Sequence, residues 1–255
     1  MTTQRERAER FHALHVRGEP VVLFNAWDAG SAKVVAKAGA KAIATGSWSV
    51  AAAHGFDDGE ALTLELALAN LARIVASVSL PVTLDFEGGY AVDTAALGAN
   101  VARAVEAGAI GFNFEDQVVG GSGLHPVQLQ AKRIRAMRAA ADGLGVPVFI
   151  NARTDAFLQS STHDAALVER TLERARAYAD AGASGLFVPG LADEALIARA
   201  CEASPLPVNI MASPKTPPKA RLAALGVARI SHGPGPYRQM MQALEAAAKQ
   251  AFTAG

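Results

Sequence analysis

The sequence predicts a (β/α)8 TIM barrel, and three observations carry that prediction. About eight short apolar runs alternate with helical patterns along 255 residues, the usual size of this architecture. A helix-end glycine followed by a buried strand recurs as Ala38-Gly39-Ala40, Ala107-Gly108-Ala109 and Ala181-Gly182-Ala183, with a looser copy at Leu225-Gly226-Val227. Polar residues collect at the C-terminal ends of the runs, the face on which a barrel of this type holds its sites.

Taken in order, a helix near 3–16 precedes strand 1 near 21–28, which ends in Asn25, Trp27 and Asp28. After a helix near 30–38, strand 2 near 41–47 ends in Thr45, Gly46 and Ser47. A helical pattern near 60–78 stops before Pro81, and strand 3 near 82–89 delivers Asp85 and Glu87. A helix near 94–107 leads to strand 4 near 109–116, with Asn113, Glu115 and Asp116. Helix 126–141 and Pro147 precede strand 5 near 148–155, with Asn151, Arg153, Thr154 and Asp155. Helix 164–181, strand 6 near 185–190 and helix 193–203 follow. Strand 7 near 208–213 offers Asn209, and after a helix near 217–224, strand 8 near 228–233 offers Ser231 and His232. The last helix, near 236–251, carries Tyr237, Met240, Met241 and Leu244 at helical spacing. The competing architecture is an open doubly wound sheet. Against it, the turn after strand 1 reads Ala26-Trp27-Asp28-Ala29-Gly30 and has no Gly-x-Gly-x-x-Gly. No linker or low-complexity tract interrupts the chain, so residues 1–255 read as one domain.

Composition narrows the function. The 24 basic and 24 acidic residues balance, leaving no electrostatic footprint for nucleic acid or an anionic membrane. The single cysteine, Cys201, excludes an internal disulfide or a cysteine-rich metal site. No apolar signal core and no membrane-length apolar run is present, and the expected location is cytoplasmic. The six histidines form no His-x-x-x-His pair, which disfavours zinc, and the absence of Gly-x-Ser-x-Gly disfavours a serine hydrolase.

The acidic strand ends are the strongest chemical signal. Alternate strand residues share a face, so Thr83, Asp85 and Glu87 line up, as do Asn113 and Glu115. Carboxylates aimed into one barrel mouth repel unless a cation or strong donors compensate, and an all-oxygen cluster suits a hard divalent ion such as magnesium. Arg153 offers a planar guanidinium for a substrate carboxylate or phosphonate, or simply a partner for a carboxylate. Asp28, Asp116 and Asp155 fit the structural role of capping a helix or satisfying backbone groups. His232 beside strand 8 reads as a site residue or as a structural histidine.

Several segments occur in one order: Asn25-Ala26-Trp27-Asp28, Thr45-Gly46-Ser47, Gly55-Phe56-Asp57-Asp58-Gly59-Glu60, Leu84-Asp85-Phe86-Glu87-Gly88-Gly89-Tyr90, Phe114-Glu115-Asp116-Gln117 and Asn151-Ala152-Arg153-Thr154-Asp155. In this the chain resembles the isocitrate lyase/phosphoenolpyruvate mutase superfamily. The resemblance implies a Mg2+ ion, with Mn2+ as the alternative, and an α-oxo acid or its enolate. Asp85 would be the direct metal ligand, with Glu87 and Glu115 acting through water. Gly46 and Ser47 would bind the substrate carboxylate, Asp58 would lie on a loop near the metal, and Arg153 would hold oxygens of the substrate or leaving group. Trp27, Thr45, Asn113, Asn209 and His232 complete the expected substrate-binding set, and Arg153, Asp58 and Glu115 the catalytic one. It also implies a homo-oligomer, dimer or tetramer, with the last helix exchanged between subunits.

The chain departs from the superfamily at the loop after strand 4. The lyases carry Lys-Lys-Cys-Gly there, whereas this loop is Val118-Val119-Gly120-Gly121-Ser122-Gly123-Leu124-His125. It also lacks the Lys and Asn usual in the mutases. Glu87 stands where Asp is commoner, and Ser49 where Gly is common. The expected activity is Mg2+-dependent cleavage of a C–C bond in a small α-oxo or α-hydroxy di- or tricarboxylate, in the manner of an oxaloacetate decarboxylase or a methylisocitrate lyase. His125 or His232 is a candidate for returning the proton. The alternatives are C–P chemistry, as mutase or hydrolase, and a barrel that only binds an oxo acid.

Overall fold

A computed structural model describes residues 2–253. The eight strands are β1 (Val21–Leu23), β2 (Ile43–Ala44), β3 (Val82–Asp85), β4 (Gly111–Glu115), β5 (Phe149–Arg153), β6 (Gly185–Val188), β7 (Val208–Met211) and β8 (Arg229–Ser231). All ladders are parallel, running β1-β8-β7-β6-β5-β4-β3-β2. The ring closes between its ends through the parallel bridge Ala26↔Thr45, where Ala26 N–H donates to the Ala44 carbonyl at 2.8 Å. This is the predicted barrel.

The helices are α1 (Gln4–Ala13), α2 (Ala29–Lys37), α3 (Ser47–Ala53), α4 (Leu64–Ser77), α5 (Thr94–Glu106), α6 (Val127–Gly143), α7 (Ala156–Gln159), α8 (Ala165–Asp180), α9 (Glu194–Ala203), α10 (Lys219–Ala224) and α11 (Gly235–Thr253). Asp28, Thr63, Asp93, Asp164 and Asp193 each accept a backbone N–H at a helix start, which fixes where each helix leaves its loop. Among the described residues no helix is long and apolar enough to cross a membrane.

Three expectations need correction. The strands are shorter than their apolar runs, because the chain turns out of the sheet once it reaches the polar residues. Helix α3 begins at Ser47, inside the predicted end of strand 2, and the helix predicted from residue 60 starts at Leu64 after its Thr63 cap. Asp155 is no cap, since its side chain bonds no helix N–H and instead pairs with Arg153.

Helix α1 closes the N-terminal end of the barrel. Phe11 is fully buried and meets Phe149 edge-on at 5.6 Å, while His15 stacks on Phe149 at 3.8 Å. Nδ1 of His15 lies 2.8 Å from the Phe11 carbonyl, so the proton sits there and Nε2 is buried without a partner. Burial, then the charge of Arg229, pushes His15 down to about 3. Above about pH 6.5 His15 is neutral in both folded and unfolded chains and has no pH effect. As pH falls from there towards 3, the unfolded chain takes up a proton the folded one refuses, and stability drops by up to about 1.4 kcal/mol per unit. Urea unfolding at pH 7 and pH 5 is therefore expected to show a smaller pH loss in His15→Phe than in the unaltered chain. Equal losses would contradict the assignment.

Candidate active site

The inward faces of the strands converge on a cavity of about 160 Å3 at the C-terminal end of the barrel. Asn25, Ser47, Asp58, Asp85, Asn113, Arg153 and Ser231 supply its polar side chains, and Trp48, Phe187 and Met211 part of its apolar wall. Asp85 is the last residue of β3. Its N–H donates to Thr45 Oγ1 at 2.9 Å, and its Oδ2 accepts the Ser47 N–H at 2.9 Å. Its Oδ1 is buried with no partner. A buried acceptor left open in this way is costly unless something absent from the chain fills it.

The carboxylates around Asp85 carry the marks of crowding. Burial first, then Asp58 and Asp85, pushes Glu87 up to about 8. Burial also takes Glu115 up to about 8, outweighing the opposing charge of Arg153, with Asp155 and Asp85 adding to the rise. Asp58 is raised by burial and by Asp85, against a hydrogen bond from the Ser47 side chain. Arg153 is the counter-charge. Its Nη1 lies 3.0 Å from Glu115 Oε2, and its Nε and Nη2 donate to the two oxygens of fully buried Asp155 at 2.5 and 2.8 Å. Burial alone would lower the guanidinium's pKa, but Glu115 and Asp155 hold it above the ordinary range.

Glu87 corrects the alternation argument. Strand β3 ends at Asp85, and Glu87 sits in the following turn at φ 49°, so it does not continue the face shared by Thr83 and Asp85. Its Oε2 accepts the Glu60 N–H at 2.7 Å, and Glu60 Oε1 in turn accepts the Tyr90 N–H at 2.7 Å. Glu60 and Tyr90 also have positive φ, at 61° and 58°. Three left-handed residues, each costing roughly 1 kcal/mol, are held by this clasp between the loop bearing Asp58 and the loop after β3. The helical pattern expected from residue 60 reads Glu60 as a first-turn charge; the helix starts only at Leu64, and that pattern carries no sign of the clasp.

The structure separates the expected substrate-binding residues into two groups. Gly46, Ser47, Asn113 and Arg153 line the cavity, and Thr45 stands behind it, supporting Asp85. Trp27, Asn209 and His232 are not among the lining residues. Strand β1 stops at Leu23, so Trp27 falls in the next turn and packs edge-on against Tyr237 at 5.2 Å. Asn209 lies deep in β7 and donates to Ser231 Oγ at 3.0 Å. The His232 ring packs on Phe24 at 5.0 Å, and only its backbone N–H joins the site frame, through Asn25 Oδ1 at 2.9 Å. His125 lines a separate pocket, shared with Glu60, Gly88 and Arg133, and is not among the residues of the cavity. Asn25 ties three strands together here: its Nδ2 donates to the Thr45 carbonyl, and its Oδ1 accepts from both His232 and Gly233.

The loop after β4 folds as a narrow hairpin, with Val118 N–H donating to the Gly123 carbonyl at 3.1 Å. Val119 rests on Gly88, where a Cβ would stand 2.9 Å from its methyl. Glycine is needed there for the loop to seat beside the clasp. Its base is anchored by Asp116, which accepts from Tyr178 at 2.8 Å and pairs with Arg174 at 3.1 Å.

Among the described residues no three His, Cys, Asp or Glu side chains are grouped as a cage of direct ligands. Glu115 is engaged by Arg153 and Glu87 by Glu60. The unpartnered Asp85 oxygen, with Asp58, Glu87 and Glu115 nearby, fits a hydrated hard cation, which Asp85 would hold.

Comparison with known proteins adds the family context. The family model described as phosphoenolpyruvate phosphomutase matches residues 11–252. A crystal structure from Burkholderia cenocepacia J2315, provisionally described as a phosphonomutase, is 52% identical and superposes with a TM-score of 0.95 over 98% of this chain and 100% of its own. The 2-methylisocitrate lyase of Escherichia coli K12 is 30% identical over 78% of this chain and 67% of its own length. An oxaloacetate decarboxylase from a Bradyrhizobium strain is 31% identical over 67% of this chain and 58% of its own.

Proposed function

The chain belongs to the phosphoenolpyruvate phosphomutase family, within the isocitrate lyase/phosphoenolpyruvate mutase superfamily, and from that premise we propose that it is a Mg2+-dependent lyase breaking a C–C bond of a small α-oxo or α-hydroxy acid through an enolate. The observation that carries the proposal is the buried, unpartnered Oδ1 of Asp85 beside a small, partly apolar cavity that Asp85 and Arg153 both line. Mg2+ held by Asp85 would supply Lewis-acid stabilisation of the negative charge that develops as the bond breaks. Arg153, braced by Glu115 and Asp155, fixes the substrate's carboxylate oxygens by charge-assisted hydrogen bonds. Asp58, whose raised carboxyl keeps a proton more readily than an ordinary aspartate, moves the proton at the reacting carbon or hydroxyl. That assignment replaces the two histidines, since neither imidazole lines the cavity. With no cysteine in the covering loop, release of CO2 is favoured among lyase reactions because it needs no acid in its first step.

The similarity to a protein provisionally described as a phosphonomutase favours a second reading, C–P cleavage or rearrangement. One experiment separates them: NMR-followed incubation with Mg2+ and oxaloacetate, methylisocitrate, isocitrate or phosphonopyruvate. Turnover of oxaloacetate, lost on chelation, is the expected result. Turnover of phosphonopyruvate instead selects the second reading. No turnover of any, with Mg2+ shown bound, sinks both as stated.

We also propose a homo-oligomer in which α11 docks on a second copy. Beyond Pro236 and Tyr237 the helix is exposed almost throughout, with Met240, Met241 and Leu244 open on its surface. The same chain carries an uncovered apolar groove of about 520 Å3 lined by Val22, Phe24, Val34 and Val35. A helix with bare apolar residues and a bare apolar groove on one molecule satisfy each other in a closed pair of copies. Sedimentation is expected to give a dimer or tetramer, and Leu244→Asp combined with Met240→Asp a smaller species. A monomeric unaltered chain would dismiss the proposal.

A further inference from the structure

Below the cavity the barrel interior is polar and holds a buried arginine. Arg229 opens β8 on the inward face and is 1% exposed. Among the described residues no carboxylate lies within ion-pair distance of it. A buried guanidinium without such a partner is expensive. Burial brings Arg229 down to about 9, with the charge of Asp85 opposing the fall, so it remains cationic at neutral pH. Its Nη2–H donates to Asn113 Oδ1 at 3.0 Å, its Nε–H to Ser231 Oγ at 3.2 Å, and Nη1 is buried without a partner.

Asn113 is the link to the cavity. Its Oδ1 accepts twice, from Arg229 and from Asn151 Nδ2 at 2.9 Å. Two donors fill both lone pairs of that oxygen and fix which end of the amide points down. The NH2 end is then turned the other way. It donates to no protein acceptor among the hydrogen bonds of the described residues, and Asn113 lines the cavity beside Asp85 and Arg153. An amide donor held in a set orientation, with nothing of the protein to receive it, is placed to meet an anionic oxygen of a ligand.

We propose that Arg229 is a positioning residue: from inside the barrel it locks the Asn113 amide so that its NH2 group is presented to a carboxylate of the bound oxo acid. The role deepens the proposed function and rests on it. Arg229 touches no substrate; it acts through Asn113. Its buried charge, felt as far as Asp85, also favours a bound anion.

The test uses the full chain, with Mg2+ and then oxalate, a planar mimic of an enolate acid, followed by calorimetry. Arg229→Met is expected to bind Mg2+ as the unaltered chain does but oxalate at least tenfold more weakly. Its crystal structure is expected to show the Asn113 amide turned or split between orientations. Asn113→Asp provides a second arm that keeps the test decisive if Arg229→Met misfolds. It keeps the oxygen that Arg229 and Asn151 need and adds an ion pair with Arg229, while removing the NH2 donor. Retained folding with at least tenfold weaker oxalate binding supports the proposal. Oxalate affinity within twofold of the unaltered chain in either folded variant overturns it. If the unaltered chain binds Mg2+ but no oxalate, the proposed function fails, and the Asn113 orientation in ligand-free Arg229→Met decides the positioning role alone: an unmoved amide overturns it.

Discussion

Asp85→Ala is expected to lower turnover by about 10³-fold or more while leaving the barrel folded. Removing a charge-stabilising group at a developing anion costs on the order of 3–4 kcal/mol, and loss of the metal adds to that. Stability should move differently. The variant leaves the Ser47 N–H without its acceptor, a penalty of roughly 1–3 kcal/mol. It also removes the central charge of a cluster in which Asp58, Glu87 and Glu115 are all pushed upward in part by Asp85. The two effects oppose each other, so the ion-free melting temperature should change little. The informative quantity is the metal response. Ligand that binds only the folded chain stabilises it by about 2.7 kcal/mol at a hundred times its Kd. Added Mg2+ is expected to raise the melting temperature of the unaltered chain and not that of Asp85→Ala. A variant still stabilised by Mg2+ would place the ion elsewhere.

How much of this was legible beforehand follows from the period of the signal. Barrel strands are buried on both faces, so Val148–Ile150 or Leu186–Val188 read as strands from apolar content alone, and the glycine and proline joints marked their starts. Asp85, Asn113 and Arg153 were legible because each is the last or a near-last inward residue of its strand. Glu87 was misread because two-residue alternation holds only while the chain stays extended, and a positive φ broke it two residues past the strand end. Trp27 and His232 lie off the cavity lining for a similar reason: a strand end fixes where the backbone goes, not which way a turn residue faces. Arg229 was invisible because an arginine at a strand start reads as surface charge. Only the inward register of β8, set by pairing with Asn209 of β7, reveals that it is buried.

Arg153 should separate catalysis from folding more sharply than any other residue in the site. Its guanidinium answers two buried carboxylates at once, Glu115 at 3.0 Å and fully buried Asp155 through a two-point contact, and 18% of its side chain remains open towards the cavity. Arg153→Met removes the only cation within ion-pair distance of either group among the described residues and is expected to cost about 3–5 kcal/mol of stability. Turnover should fall at least 10³-fold because substrate oxygens lose a charge-assisted donor as well. Arg153→Lys retains the charge but not the planar fork, so it should recover most of the stability while kcat/KM stays down by about 10²-fold. The decisive variant is Arg153→Met with Asp155→Asn, which removes the stranded charge along with its partner. Denaturant unfolding is expected to show stability largely restored, and steady-state kinetics to show activity still absent. Should activity return with stability, Arg153 would be a brace for the barrel mouth and the substrate-binding role would pass to Asn113 and the ion held by Asp85.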